Sequence, residues 1–174
     1  MHSRIRLHRG DITKLEVDAI VNAANTSLTP GGAVGLAIHA AAGPELKAEC
    51  MSIMRGVFPG QAVITRGYRL PAKYVIHAVG ASWHGGTNGE HEQLARTYRS
   101  SFALAAEHGI RTIAFPAISC GLFSFPAEAA AEVAIGETVA ALERVPSLEQ
   151  VTFALFTEEV WAAFAKALEA RTLS

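Results

Sequence analysis

Four short segments carry residue types that a packed core does not need but a binding site can use. In Gly10-Asp11-Ile12-Thr13 a carboxylate follows an apolar run. Asp11 can accept a hydrogen bond from a ligand amine, or from backbone N–H groups in an N-cap or Asx turn. Val21-Asn22-Ala23-Ala24-Asn25 places two amides at the end of a predicted strand. Such amides both donate to and accept from sugar hydroxyls, and open α/β sheets bind ligands at strand ends. The same residue types also make turns. Pro30-Gly31-Gly32-Ala33-Val34-Gly35-Leu36-Ala37-Ile38-His39 feeds adjacent glycines into a predicted helix. Successive backbone N–H groups there can face an anion, helped by the positive end of the helix. His39 lies one turn in, as a core residue or as a proton carrier. Ala117-Ile118-Ser119-Cys120-Gly121-Leu122-Phe123-Ser124-Phe125-Pro126 forms a second loop between strand and helix. It is either an ordinary connection with Phe123 and Phe125 in the core, or a second cradle with Phe123 against a ribose. Two anion loops with an amide pair between them favour a diphosphate site.

Other chemistries find less support. The third segment is neither G-x-G-x-x-G nor a P-loop, since no Gly-Lys-Ser/Thr follows. The seven histidines are scattered, and His84 and His91 lack Cys or carboxylate partners at ligand spacing, so neither a metal nor a cofactor is expected. Cys120 sits in a Gly-flanked loop without an assigned base, and reads as a small lining residue, not a nucleophile. Fifteen Lys and Arg against 16 Asp and Glu leave a net charge of −1, which argues against nucleic acid as a partner.

Half of the 174 residues are hydrophobic, but 32 are Ala, so the apolar score reflects small helix formers. No apolar run reaches the ~20 residues of a membrane span, and Met1-His2-Ser3-Arg4-Ile5-Arg6 lacks a signal-peptide core. Two cysteines are too few for a disulfide framework. A cytoplasmic monomer is expected.

These segments need a scaffold. The length suits one domain over residues 1–174. Apolar β-branched runs alternate with helical periods, the pattern of an α/β layered fold. Strands are predicted at Ile5–His8, Ala19–Asn22, Ala62–Thr65, Tyr74–His77, Thr112–Phe115 and Val151–Phe156. Helices are predicted at Val34–Ala42, Pro44–Met54, Glu90–His108, Pro126–Leu142 and Glu158–Ala170, with Pro44 and Pro126 in first turns.

The first two segments, the second extended to run from Val17-Asp18-Ala19-Ile20 through Thr26-Ser27-Leu28, together with Ala37-Ile38-His39, Ala41-Ala42-Gly43, Gly67-Tyr68, Leu70-Pro71, Val75-Ile76-His77-Ala78-Val79-Gly80 and Ala114-Phe115-Pro116-Ala117-Ile118-Ser119 resemble macrodomains of the MacroD/YmdB type. The resemblance runs over nearly the whole chain. It implies a three-layer α/β/α fold with a mixed sheet and a cleft for ADP-ribose. It further implies hydrolysis of O-acetyl-ADP-ribose, or removal of mono-ADP-ribose from acidic side chains of proteins.

By that resemblance Asp11 accepts from the adenine amine beside the Ile12 backbone, and Phe156 faces the ring. Asn22 and Ala23 line the strand end, and Asn25 holds the distal ribose. Gly31, Gly32, Ala33, Val34 and Gly35 form one phosphate-side loop. Ser119, Cys120, Gly121, Leu122 and Phe123 form the other. Catalysis would fall to Asn25, to His39 and to the loop backbone at Gly32, which orients a water with the ligand phosphate.

Two departures stand out. Family hydrolases read Gly-Gly-Gly-Val-Asp-Gly where this chain has Gly31-Gly32-Ala33-Val34-Gly35-Leu36, so the Asp given a catalytic role is Gly35. The usual Ser-Thr-Gly-Val-Tyr becomes Ser119-Cys120-Gly121-Leu122-Phe123, which keeps a ring and drops its hydroxyl. A non-catalytic ADP-ribose reader is the alternative.

Overall fold

The computed structural model describes residues 2–53 and 55–172. Six strands appear in the order predicted: β1 (Ile5–Arg9), β2 (Ala19–Ala24), β3 (Ala62–Arg66), β4 (Tyr74–Val79), β5 (Thr112–Phe115) and β6 (Gln150–Leu155). The helices are α1 (Gly32–Ala42), α2 (Pro44–Ser52), α3 (Glu90–Glu107), α4 (Ala127–Arg144) and α5 (Glu158–Thr172). Met54, the expected end of the second helix, lies outside the described residues. Pro44 opens α2 at its first turn, whereas Pro126 is the extended N-cap of α4. No helix among the described residues is long and apolar enough to cross a membrane.

The sheet order is β1-β6-β5-β2-β4-β3, and all neighbours are parallel except β3 against β4. The period-two alternation of each strand sends its side chains to two separate cores. Val21, Ile76, Ile113, Phe115 and Phe153 meet α3, α4 and α5 through Tyr98, Phe102, Ile135 and Phe164. Ile20, Val63, Val75, Val79 and Ala114 meet α1 and α2 through Ile38, Ala42, Leu46 and Cys50. Three layers result, with apolar burial on both faces of the sheet as a mostly parallel sheet requires.

From β2 the chain moves outward to β3 and β4, then crosses back to β5 on the other side of β2. Loops leaving β2 and β5 therefore diverge, which is where open α/β sheets leave a crevice at their strand ends. The ladder reflects this: β2 and β4 pair from Ala19↔Tyr74 to Ala24↔Val79, but β2 and β5 pair only at Ala19↔Ile113 and Ile20↔Ala114.

Candidate functional site

A cleft of about 530 Å³ opens at this divergence. Its first wall leaves β2. The Asn25 amide folds the turn that follows: Oδ1 accepts from Thr29 N–H at 3.1 Å, and Nδ2 donates to the Thr29 carbonyl at 2.9 Å. The turn delivers Gly31 as N-cap of α1, and no side chain caps the helix. The first N–H groups of α1 are thus left for a ligand. Gly32 has φ +68°, a left-handed backbone that suits glycine and re-aims its amide.

The second wall leaves β5. Its turn is closed by Cys120 N–H donating to Ala117 O at 3.2 Å and Phe125 N–H donating to Ser119 O at 2.9 Å. A Cβ added to Gly32 would lie 3.9 Å from Leu122 Cδ1, so the walls face one another closely. The floor rises from Gly80 at the end of β4. A Cβ there would sit 2.2 Å from Ser119 Oγ, an approach that only glycine permits. Ser119 Oγ is buried and has no hydrogen-bond partner among the described residues. The far end is Phe156, 60% exposed, with Thr157 and Val160 of α5. Strand β6 stops at Leu155, so Phe156 is released from the sheet to face the opening.

Asp11 and Ile12 are not among the residues lining the cleft, but Arg9 pairs with Leu155, which brings the end of β1 to the same rim. Asp11 is exposed, and its Oδ1 accepts from Thr13 Oγ1 at 2.7 Å and from Thr13 N–H at 2.9 Å. The Thr13 hydroxyl, followed by its amide, lowers the Asp11 pKa. Both bonds fall on one oxygen, and the other accepts from no donor among the described residues. The Ile12 side chain is buried under the sheet, so only its main chain is free to serve a ligand.

Two predicted residues sit elsewhere. Strand β2 runs to Ala24, not Asn22, so Asn22 is inside the sheet beneath α1 and not at the cleft. It lies in register with His77, and its Nδ2 donates to His77 Nδ1 at 3.1 Å. His77 Nε2 then donates to Thr65 Oγ1 at 2.9 Å, whose hydroxyl donates to the Arg66 carbonyl at 3.2 Å. Burial, then the charge of His39, lowers His77 to about 3, so it is neutral. His39 stands beside this group, half-buried: its ring lies 6.4 Å from that of His77, and neither of its buried ring nitrogens has a partner among the described residues. Burial, followed by Lys47, lowers its pKa.

Ala23, Asn25, Gly31 to Gly35 and Ser119 to Phe123 all line the cleft. None of its lining residues is Asp, Glu, Lys, Arg or His. Burial, then Glu159, pushes the Cys120 thiol up to about 12, so no thiolate forms near neutral pH. Main-chain dipoles are what the cleft offers an anion. Gly80, Thr157 and Val160 line the cleft without having been expected there. Gly80 closes the family-like run Val75–Gly80 at a strand end, which was its signal, and the other two carried none.

A Macro domain family model matches residues 21–134. An O-acetyl-ADP-ribose deacetylase of Klebsiella pneumoniae is 51% identical over 162 residues, spanning 91% of this chain and 93% of that protein. A mutant Oceanobacillus iheyensis macrodomain solved with ADPR superposes with TM-score 0.91 at 33% identity, covering 97% of this chain and 93% of that one. The Trypanosoma brucei macrodomain in complex with ADP-ribose gives 0.87 at 40% identity, covering 95% of this chain and 69% of that one. With its mixed sheet between two helical layers and its cleft at the strand ends, the chain belongs to the macrodomain family.

Proposed function

We propose that the cleft binds ADP-ribose and that the chain hydrolyses esters of the distal ribose. Substrates are O-acetyl-ADP-ribose and proteins mono-ADP-ribosylated on acidic side chains. The observation that carries this reading is a roomy cleft with two glycine-rich main-chain walls and no charged lining residue. It suits a ligand charged in the middle and neutral at its ends. A diphosphate lies between the helix terminus at Gly31–Gly35 and the Ser119–Phe123 loop. The open Asp11 oxygen takes the adenine amine, the Ile12 main chain sits beside it, and Phe156 covers the ring. Ala23 lines the floor, and Asn25 orients the distal ribose from the edge of the turn that it braces. Relatives named deacetylases and neighbours solved with ADP-ribose support the assignment.

The lining supplies no side-chain base, so the ligand phosphate takes that part. A water held by the Gly32 main chain and a phosphate oxygen attacks the ester carbonyl carbon. The carbon–oxygen bond to ribose breaks, and the water proton passes through the phosphate to the leaving ribose oxygen. A carboxylic acid and ADP-ribose result. His39 supports α1 from below. The chain acts as a monomer in the cytoplasm, where the free Cys50 and Cys120 stay reduced.

Incubation with O-acetyl-ADP-ribose and with a glutamyl-ADP-ribosylated protein is expected to release acetate and free ADP-ribose. Calorimetric binding with no release above an Asn25→Ala chain would instead establish a reader, the outcome that Gly35 favours. Restoring the carboxylate tests that point. A Cβ at Gly35 would lie 3.4 Å from Asn22 Oδ1, an ordinary contact. Gly35→Asp is therefore expected to fold and to raise turnover by about 10²-fold, the lower end for a positioned base. Its Kd for ADP-ribose should stay within about twofold of wild type, since the main-chain cradle is untouched. Equal turnover in the two chains would show that the carboxylate is not limiting.

A further inference from the structure

Glu90 opens α3 beside the cleft, lines no part of it, and is only 2% exposed. Its Oε2 accepts from His84 N–H at 2.8 Å and Gly86 N–H at 2.9 Å, and its Oε1 accepts from Asn88 N–H at 2.7 Å. One carboxylate thus gathers three amides of a single five-residue stretch. That stretch carries Trp83: a Cβ added to Gly86 would lie 2.6 Å from Trp83 Cη2. The Trp83 ring packs on Phe125 at 4.9 Å and on His91 at 5.5 Å. Its backbone N–H donates to the Phe123 carbonyl at 2.9 Å.

This last bond matters because little else holds the second wall. Between Cys120 and Ser124, among the described residues, it is the one main-chain hydrogen bond from outside the loop. Leu122 is 85% exposed, and nothing lies within 4 Å of a Cβ added at Gly121. The wall therefore takes its height from Trp83, and Trp83 from the stretch gathered on Glu90.

We propose that Glu90 is a positioning residue for ligand binding, acting through Trp83 on the Phe123 side of the cleft. The inference rests on the reading that the cleft takes ADP-ribose, and it adds that the distal ribose lies against Phe123, beyond the diphosphate. Because the 84–88 stretch contributes no residue to either core cluster, the damage on removing the carboxylate falls on the wall more than on the fold.

The test is calorimetric titration of the full chain with ADP-ribose and with AMP, which has the adenosine end and lacks the distal ribose. Glu90→Gln is expected to raise the Kd for ADP-ribose about tenfold and that for AMP less than twofold. Gly86→Ala leaves the carboxylate in place but pushes on the Trp83 ring, and should give the same split, so the test survives if Glu90→Gln fails to fold. An ADP-ribose Kd within twofold of wild type in a folded variant overturns the inference alone. Equal loss for both ligands also overturns it, since that is what general damage to the fold produces. A wild-type chain that binds neither ligand overturns the cleft reading and this inference with it.

Discussion

Gly80→Ala is expected to raise the Kd for ADP-ribose by about 10- to 100-fold and to lower the thermal midpoint by several degrees. The added Cβ would stand 2.2 Å from Ser119 Oγ and 2.7 Å from Ile118 Cγ2, both far inside van der Waals contact. Neither obstacle is the loose end of a long side chain. Ile118 is 1% exposed, and Ser119 is buried with φ +71°. Relief must come from moving the second wall away from β4, and that wall is the movable partner. Overpacking of this kind costs about 1–3 kcal/mol, or roughly 2–4 °C per kcal/mol in a chain of this size. The binding loss is larger in proportion, because a main-chain cradle works only at hydrogen-bonding distance. Adding Ser119→Gly removes the nearer obstacle and also suits the positive φ, so the double variant should regain part of the affinity. Calorimetry and a melting curve on the three chains check this. Wild-type binding by Gly80→Ala would show that the wall does not bear on the ligand.

The second large effect is on stability in mild acid. His77 is fully buried, with a pKa lowered from 6.5 to about 3. In the unfolded chain the ring takes up a proton below about 6.5, whereas the folded chain does not until about 3. The unfolded state therefore binds more protons across this window, and stability falls as pH is lowered through it. At pH 5 the loss relative to pH 7 is about 2 kcal/mol from this ring alone, at ~1.4 kcal/mol per pKa unit. His39, lowered by burial and by Lys47, acts in the same direction. Urea unfolding at pH 7 and pH 5 reads the difference. His77→Gln, though weaker at neutral pH, should lose most of the slope. An unchanged stability in the wild-type chain would contradict a buried neutral histidine.

Much of this architecture is legible in the sequence, and the exceptions have physical reasons. Strand and helix periods are local, so β1 to β6 and α1 to α5 were readable from alternation and helical stripes. Sheet order was not, because which strand lies beside β2 depends on contacts between distant residues. The glycine loops announced themselves, since Gly31-Gly32 and Ser119-Cys120-Gly121 are poor core material beside strand ends. Asn22 misled because two more residues of β2 follow it, and a two-residue extension changes a rim amide into a buried one. His39 follows Gly35 by four residues on α1, which puts it on the sheet-facing side with Ile38 and Ala42. That spacing was visible, but its partner His77 was not. Glu90 gave no signal at all. A carboxylate at a helix start is ordinary, and the amides it gathers are revealed only by the path of the chain.

The short seam between β2 and β5 governs when the cleft comes into being. Ala19 and Ile20 must wait for Ile113 and Ala114, which lie 94 residues further along the chain. At the ~5–20 residues per second of protein synthesis, that is a delay of about 5–20 s on the ribosome. Until then the first wall is a glycine loop with no opposite side. ADP-ribose thus cannot template the early chain; it can only reward the closed product. A nascent fragment that ends before β5 should be blind to the ligand, however well its earlier strands have formed.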